Sequence, residues 1–225
     1  MNPIIIALDC ETTADARGIV DATAGEIDFY KVGLELYTVG GMGFVEELLG
    51  RGKKVFLDLK FHDIGETVKR AVKQVAKSGV SLLTVHAEPE VMRSAVEGRG
   101  DAALQLLGVT VLTSIAESDL PAMGYGCSLA ELFAVRVRNA MAAGVDGLVC
   151  SPLEVGALRV QVGPEKVLVT PGVRSAGAAV GDQKRVATPA AAMAAGATYL
   201  VVGRQVTRAG DPGAAVRQIL GELNP

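Results

Sequence analysis

The 225 residues predict an α/β fold, a single-domain eight-stranded β/α (TIM) barrel running over residues 1–225, and three observations carry that reading. Short apolar runs alternate with segments long enough for helices, the pattern of a parallel sheet. There are eight such runs, a number that closes most economically into a cylinder with helices outside. Polar residues recur at the carboxyl end of nearly every run, the face on which barrel enzymes build their sites. An open doubly wound sheet is the alternative, and the polar strand ends favour the barrel over it.

In chain order the runs are Ile4–Leu8, Phe29–Val32, Val55–Leu59, Leu82–Val85, Leu106–Leu112, Gly147–Cys150, Val167–Val169 and Tyr199–Val202. Each is rich in residues that suit a pleated, buried ribbon. Their polar ends are Asp9, Lys31, Asp58 with Lys60, His86, Thr113, Ser151, Thr170 and Arg204. Between the third and fourth runs, residues 66–78 put Val68, Val72, Val75 and Ala76 on one stripe, leave Lys69, Arg70, Lys73 and Lys77 to water, and stop at Gly79. That is an amphipathic helix with a glycine terminator. Thr188-Pro189 and Asp211-Pro212 each join a capping side chain to a proline at the first helical position, and Gly196 closes the first of those helices.

Composition narrows the function classes. Apolar residues make up 49% of the chain and aromatics 4%, so the core is expected to be built from Val, Leu, Ile and Ala, as suits parallel strands buried on both faces. A net charge of −3 and a pI near 5.5 provide no cationic footprint for nucleic acid. The three cysteines, Cys10, Cys127 and Cys150, are odd in number and far apart, which reads as reduced thiols in a cytoplasmic protein. The first residues lack a basic leader, and their apolar run breaks at Asp9, too short for a signal core or a membrane span. His62 and His86 are the only histidines and no third ligand stands at suitable spacing, so no metal site is expected.

Chemistry concentrates where the third run ends, in Asp58-Leu59-Lys60-Phe61-His62-Asp63-Ile64. Side chains two apart on a strand share a face, so Asp58 and Lys60 are expected to line one wall of a pocket with Asp63 on the following loop. Neighbouring carboxylates favour a charged amine, which suits proton donation and disfavours Schiff-base chemistry. Near the seventh and eighth runs the chain reads Thr170-Pro171-Gly172-Val173-Arg174 and Val202-Gly203-Arg204. Glycines that admit a ligand to the backbone, beside arginines with forked donors, point to a phosphate site. The intervening Ser175–Asp182 stretch, rich in small residues and bracketed by Arg174 and Gln183, reads as a lid.

These segments, with Lys31-Val32-Gly33 and Leu112-Thr113-Ser114, are similar in order to the orotidine 5′-phosphate decarboxylase family, over a span from Asp9 to Asp211-Pro212. Bacterial members usually carry Pro-Asn-Thr after the Asp-Ile pair, whereas this chain has Gly65-Glu66-Thr67. The resemblance implies a cofactor-free decarboxylation of orotidine 5′-phosphate to uridine 5′-phosphate, the last step of de novo UMP synthesis. It implies Lys60 as proton donor, with Lys31, Asp58 and Asp63 completing the charged network. It further implies a homodimer in which Asp63 and Thr67 cross to the neighbouring site. Asp9 would hold the ribose, Thr113 the pyrimidine, Arg174, Gly203 and Arg204 the phosphate, and Gln183 would join phosphate to base. Two alternatives remain: a magnesium-dependent sugar-phosphate decarboxylase or aldolase of the same superfamily, and a catalytically silent phosphate-ligand binder. The magnesium enzymes place a glutamate where this chain has Lys31, and a lysine repels a divalent cation.

Overall fold

Whether the sheet closes is decided by its first strand, β1 (Ile4–Ala7), which hydrogen-bonds to a partner on each side. In the computed structural model, which describes residues 2–112, 114–175 and 187–223, it pairs in parallel with β2 (Phe29–Gly33) and with β8 (Tyr199–Val202). The register Ile4 to Leu200, Ile5 to Val201 and Ile6 to Val202 joins the last strand to the first. That pairing excludes the open sheet. Around the ring follow β3 (Lys54–Phe61), β4 (Leu82–His86), β5 (Gln105–Val109), β6 (Gly147–Val149) and β7 (Val167–Thr170), each paired with its sequence neighbours in a closed barrel.

The helices between them cover the outside: α1 (Thr13–Thr23), α2 (Leu34–Gly50), α3 (Gly65–Ser78), α4 (Pro89–Arg99), α5 (Leu129–Ala143), α6 (Val155–Val162), α7 (Pro189–Ala194), α8 (Arg204–Thr207) and α9 (Pro212–Leu223). Side chains alternate between two cores. From β1, Ile5 and Ala7 enter the barrel interior with Phe29, Phe56, Leu82, Leu107, Val167, Val169 and Val201, while Ile4 and Ile6 face the helices. The aliphatic expectation holds for most of both cores, with Tyr30 and Phe44 buried in the outer one and Phe29 and Phe56 in the interior, where eight strands leave room only for side chains. Phe29 meets Tyr199 edge to face with ring centroids 5.3 Å apart.

Helix α3 starts at Gly65 and stops at Gly79, which adopts a left-handed φ of 89°. Val68, Val72 and Val75 are buried and Ala76 half-buried, as the stripe predicts. Lys69 is only partly in water and reaches Glu97 of α4 at 3.0 Å. Gly65, the residue at which the chain departs from the bacterial pattern, lies so close to α4 that an added Cβ would stand 2.5 Å from Ser94 Oγ and 2.7 Å from Glu90 Oε1. Thr188 caps α7 by accepting from the Ala191 amide at 3.2 Å, and Asp211 accepts from Ala214 at 2.9 Å at the start of α9.

Strand limits differ from the sequence reading at two places that matter. Strand β5 ends at Val109 rather than Leu112, so the residues after it belong to the loop on the barrel mouth. Strand β3 runs on to Phe61, with a register shift between Leu57 and Phe61. Four residues of β3 there span two of β4, from Leu83 to Val85, which is a bulge.

Candidate active site

Lys60 is the one described non-glycine residue with positive φ, at 50°. It lies inside the β3 bulge, so Asp58 and Lys60 do not share a wall through simple pleat alternation as the sequence suggests. The bulge re-aims Lys60, and its Nζ donates to Asp58 Oδ1 at 2.8 Å. A left-handed residue with a Cβ costs on the order of 1–2 kcal/mol, and Thr84 of β4 holds it there. The Thr84 hydroxyl accepts the Lys60 amide at 2.9 Å and donates to Asp58 Oδ1 at 2.9 Å.

From Asp58 the charges continue across β2 to the residue that follows β1. Lys31 Nζ stands 3.6 Å from Asp58 Oδ2 and donates to Asp9 Oδ1 at 3.0 Å. Anions and cations therefore alternate as Asp9, Lys31, Asp58 and Lys60. Gly33 makes room for this chain, because a Cβ there would lie 2.9 Å from Lys31 Nζ and 3.2 Å from Asp9 Oδ1. Burial works to raise the Asp58 carboxyl, but the ammonium groups of Lys31 and Lys60 and the hydrogen bonds from Lys60 and Thr84 outweigh it, holding the group below the ordinary carboxylate range. Asp58 is thereby kept as an anion.

All four residues line one cavity of about 1010 Å³ at the mouth of the barrel. The same cavity is lined by Gly172 and Arg174 after β7 and by Gly203 and Arg204 after β8. Burial, and then the charge of Arg204, lower the Arg174 guanidinium from its ordinary value. Two like charges facing one cavity are relieved by an anion. The Lys31 ammonium sits between the carboxylates that a divalent ion would need, and among the described residues no group of three His, Cys, Asp or Glu side chains could hold a metal.

Of the predicted site residues, Asp9, Lys31, Asp58, Lys60, Arg174, Gly203 and Arg204 come together in this cavity. Asp63 and Thr67 are exposed outside it, and Asp63 Oδ1 accepts the Ile64 amide at 2.6 Å. Thr113, Gln183 and the lid stretch beyond Ser175 lie outside the described residues. His62, which has no orienting partner legible in the sequence, and His86, which as a strand-end residue reads as site wall or packing, lie with ring centroids 5.1 Å apart, and neither lines the cavity. Burial, then His62, Arg136 and Lys60, lower His86 against the opposing pull of Glu88.

Thr84 escaped the sequence reading. Its only signal is a hydroxyl in the middle of the apolar strand Leu82-Leu83-Thr84-Val85, and it is fully buried. Thr84→Val keeps the shape and removes both hydrogen bonds, so it is expected to cost about 1–3 kcal/mol of stability and to loosen Lys60. The depressed Asp58 contributes stability that is present above its unfolded pKa and lost as pH falls through the folded value. Removing one of the groups that depress it moves that loss to higher pH. Urea unfolding of both proteins across the acid range measures the cost and the shift.

Burial disfavours the thiolate form of the two cysteines that line the cavity, Cys10 and Cys150. Cys10 is pushed up to about 11 by burial and then by Asp15, Asp9 and Glu35, and Cys150 to about 12 chiefly by burial. Cys127 is exposed. A chromogenic thiol reagent is expected to titrate Cys127 quickly in the native protein and the other two only after denaturation.

Comparison with known proteins agrees with this geometry. Residues 2–219 match the model of the orotidine 5'-phosphate decarboxylase / HUMPS family. A protein of Rhodopseudomonas palustris (strain HaA2) named orotidine 5'-phosphate decarboxylase is 50% identical over 98% of this chain and 94% of its own length. One of Methylobacterium sp. (strain 4-46) with the same name is 49% identical over 98% and 94%. The crystal structure of orotidine 5'-phosphate decarboxylase from Lactobacillus acidophilus superposes with a TM-score of 0.87 at 36% identity, covering 100% of both chains. A match of the family model along nearly the whole chain, with relatives half identical to it, leads to one conclusion: the chain belongs to the orotidine 5'-phosphate decarboxylase / HUMPS family.

Proposed function

We propose that this chain, as one catalytic unit over residues 1–225, decarboxylates orotidine 5′-phosphate to uridine 5′-phosphate without a metal or organic cofactor. The observation that carries the reading is the alternating chain Asp9, Lys31, Asp58 and Lys60 in a cavity that Arg174 and Arg204 also line. Family membership and the names of the relatives support it.

Loss of carbon dioxide from C6 of the pyrimidine leaves an electron pair in the ring plane, out of reach of the ring carbonyls. The site must stabilise a localised carbanion and then protonate it. Lys60 does both: its ammonium faces the developing charge and then delivers a proton from Nζ to C6. Asp58 stands against the departing carboxylate, but one such repulsion at ~4 Å and an effective dielectric near 20 is worth only ~4 kcal/mol. Uncatalysed decarboxylation is very slow, so the barrier must fall by on the order of 20 kcal/mol. Most of that comes from preorganised charge at the carbanion and from binding energy at the remote phosphate. Arg174, Gly203 and Arg204 take the phosphate, Asp9 the ribose, Thr113 the base, and Gln183 bridges base and phosphate.

Asp63 and Thr67 complete the site of a second copy in a homodimer. Their position outside the cavity of their own chain supports this, as does the adjacent Ile64, which is 77% exposed. The protein acts in the cytoplasm, with three free thiols and, among the described residues, no helix long and apolar enough to cross a membrane. It binds no nucleic acid. The test is the fall in orotidylate absorbance with chelator-treated protein. Conversion to uridylate is the expected result; no turnover with tight uridylate binding, or magnesium-dependent activity on a sugar phosphate, overturns the reading.

A further inference from the structure

Arg174 and Arg204 repel one another, yet both are held at one cavity from two separate loops. The connection between those loops is Gln205. The Ser175 amide donates to Gln205 Oε1 at 3.1 Å, and Gln205 Nε2 donates to Ser175 Oγ at 2.5 Å. The orientation of the carboxamide follows from the donors, since the Ser175 N–H can meet only an acceptor. Ser175 is 4% exposed, and a buried backbone amide needs a partner, which Gln205 supplies. On the other side, the Arg174 amide donates to the Ala187 carbonyl at 3.0 Å. Arg174 is thus pinned through its own backbone and through the residue that follows it, and the second pin is the neighbour of Arg204 in sequence. Gln205 itself does not line the cavity.

We propose that Gln205 is a positioning residue for the substrate's phosphate: by locking Ser175 it sets the spacing between Arg174 and Arg204. The inference rests on the phosphate role given to those arginines above. A carboxamide suits the task because it presents one acceptor and one donor side by side and adds no charge to a site meant for an anion.

Gln205→Met keeps length and removes both bonds; Ser175→Ala removes only the hydroxyl bond and keeps the amide partner. Inorganic phosphate as competitive inhibitor, and the orotidylate KM against kcat, are measured for the parent, both variants and the double variant. Gln205→Met is expected to raise the phosphate inhibition constant about tenfold and to lower orotidylate kcat/KM by a similar factor, the loss being shared between KM and kcat. Ser175→Ala should give a smaller rise, and the double variant no more than Gln205→Met alone, because the two side chains act as one unit. Phosphate inhibition within about twofold of the parent in Gln205→Met overturns the inference, as does full additivity. If Gln205→Met shows no cooperative melt, Ser175→Ala decides by the same criterion. A parent that converts orotidylate keeps the functional reading whatever the variants do; a parent that neither converts it nor binds inorganic phosphate by calorimetry sinks both.

Discussion

Lys60→Ala is expected to lower orotidylate turnover on the order of 10⁵-fold, since positioned proton donation and a preorganised charge each contribute roughly 10²–10⁴. The ammonium is held 2.8 Å from Asp58 by a backbone bulge and a buttressing hydroxyl, so the reaction meets a charge already in place. Removing it leaves Asp58 anionic, still beside Lys31 at 3.6 Å but without its nearest counter-charge. The variant should keep uridylate binding within about tenfold, because the phosphate wall is untouched and supplies most ground-state affinity. Stopped-time assays of orotidylate consumption, with uridylate titration alongside, check both halves. Native turnover in Lys60→Ala would remove the basis of the mechanism.

Arg204→Ala should be the second most damaging change, lowering kcat/KM by about 10³-fold and affecting both parameters. Arg204 is far from C6 in chemical terms, yet the energy of gripping a phosphate dianion is available to hold the base against Lys60 and Asp58. A change in KM alone would mean that phosphate binding is uniform across the reaction and does nothing for the chemical step. Loss of Arg204 leaves burial, the larger cause, still lowering Arg174 and removes only the repulsion that adds to it. Adding phosphite to assays of a substrate without its phosphate tests the same coupling, with activation expected in the parent and not in Arg204→Ala.

Local order in the chain was enough to place most of the site. The spacing of eight apolar runs with polar ends put Asp9, Lys31, Asp58, Lys60, Arg174, Gly203 and Arg204 on one face, and all seven line one cavity. Each lies at the carboxyl end of a strand or within a few residues after it, the face on which barrels build their sites. Helix α3 was equally readable, because its stripe and its stop at Gly79 are local. The limits of β3 and β5 were not, since strands end where partners stop bonding, and partners are remote in sequence.

What the chain alone determined, then, is the alternation of elements, the parallel barrel and the kinds of residue that meet at its mouth, because these depend on periodicity and on strand ends. Tertiary structure alone decided how they meet. The bulge and positive φ that aim Lys60, the Thr84 hydroxyl 24 residues away that secures it, and the Gln205 to Ser175 tie across 30 residues all depend on contacts between different strands and loops. No local pattern encodes such contacts, since a buried hydroxyl or carboxamide finds its partner only after the barrel has closed and water has left.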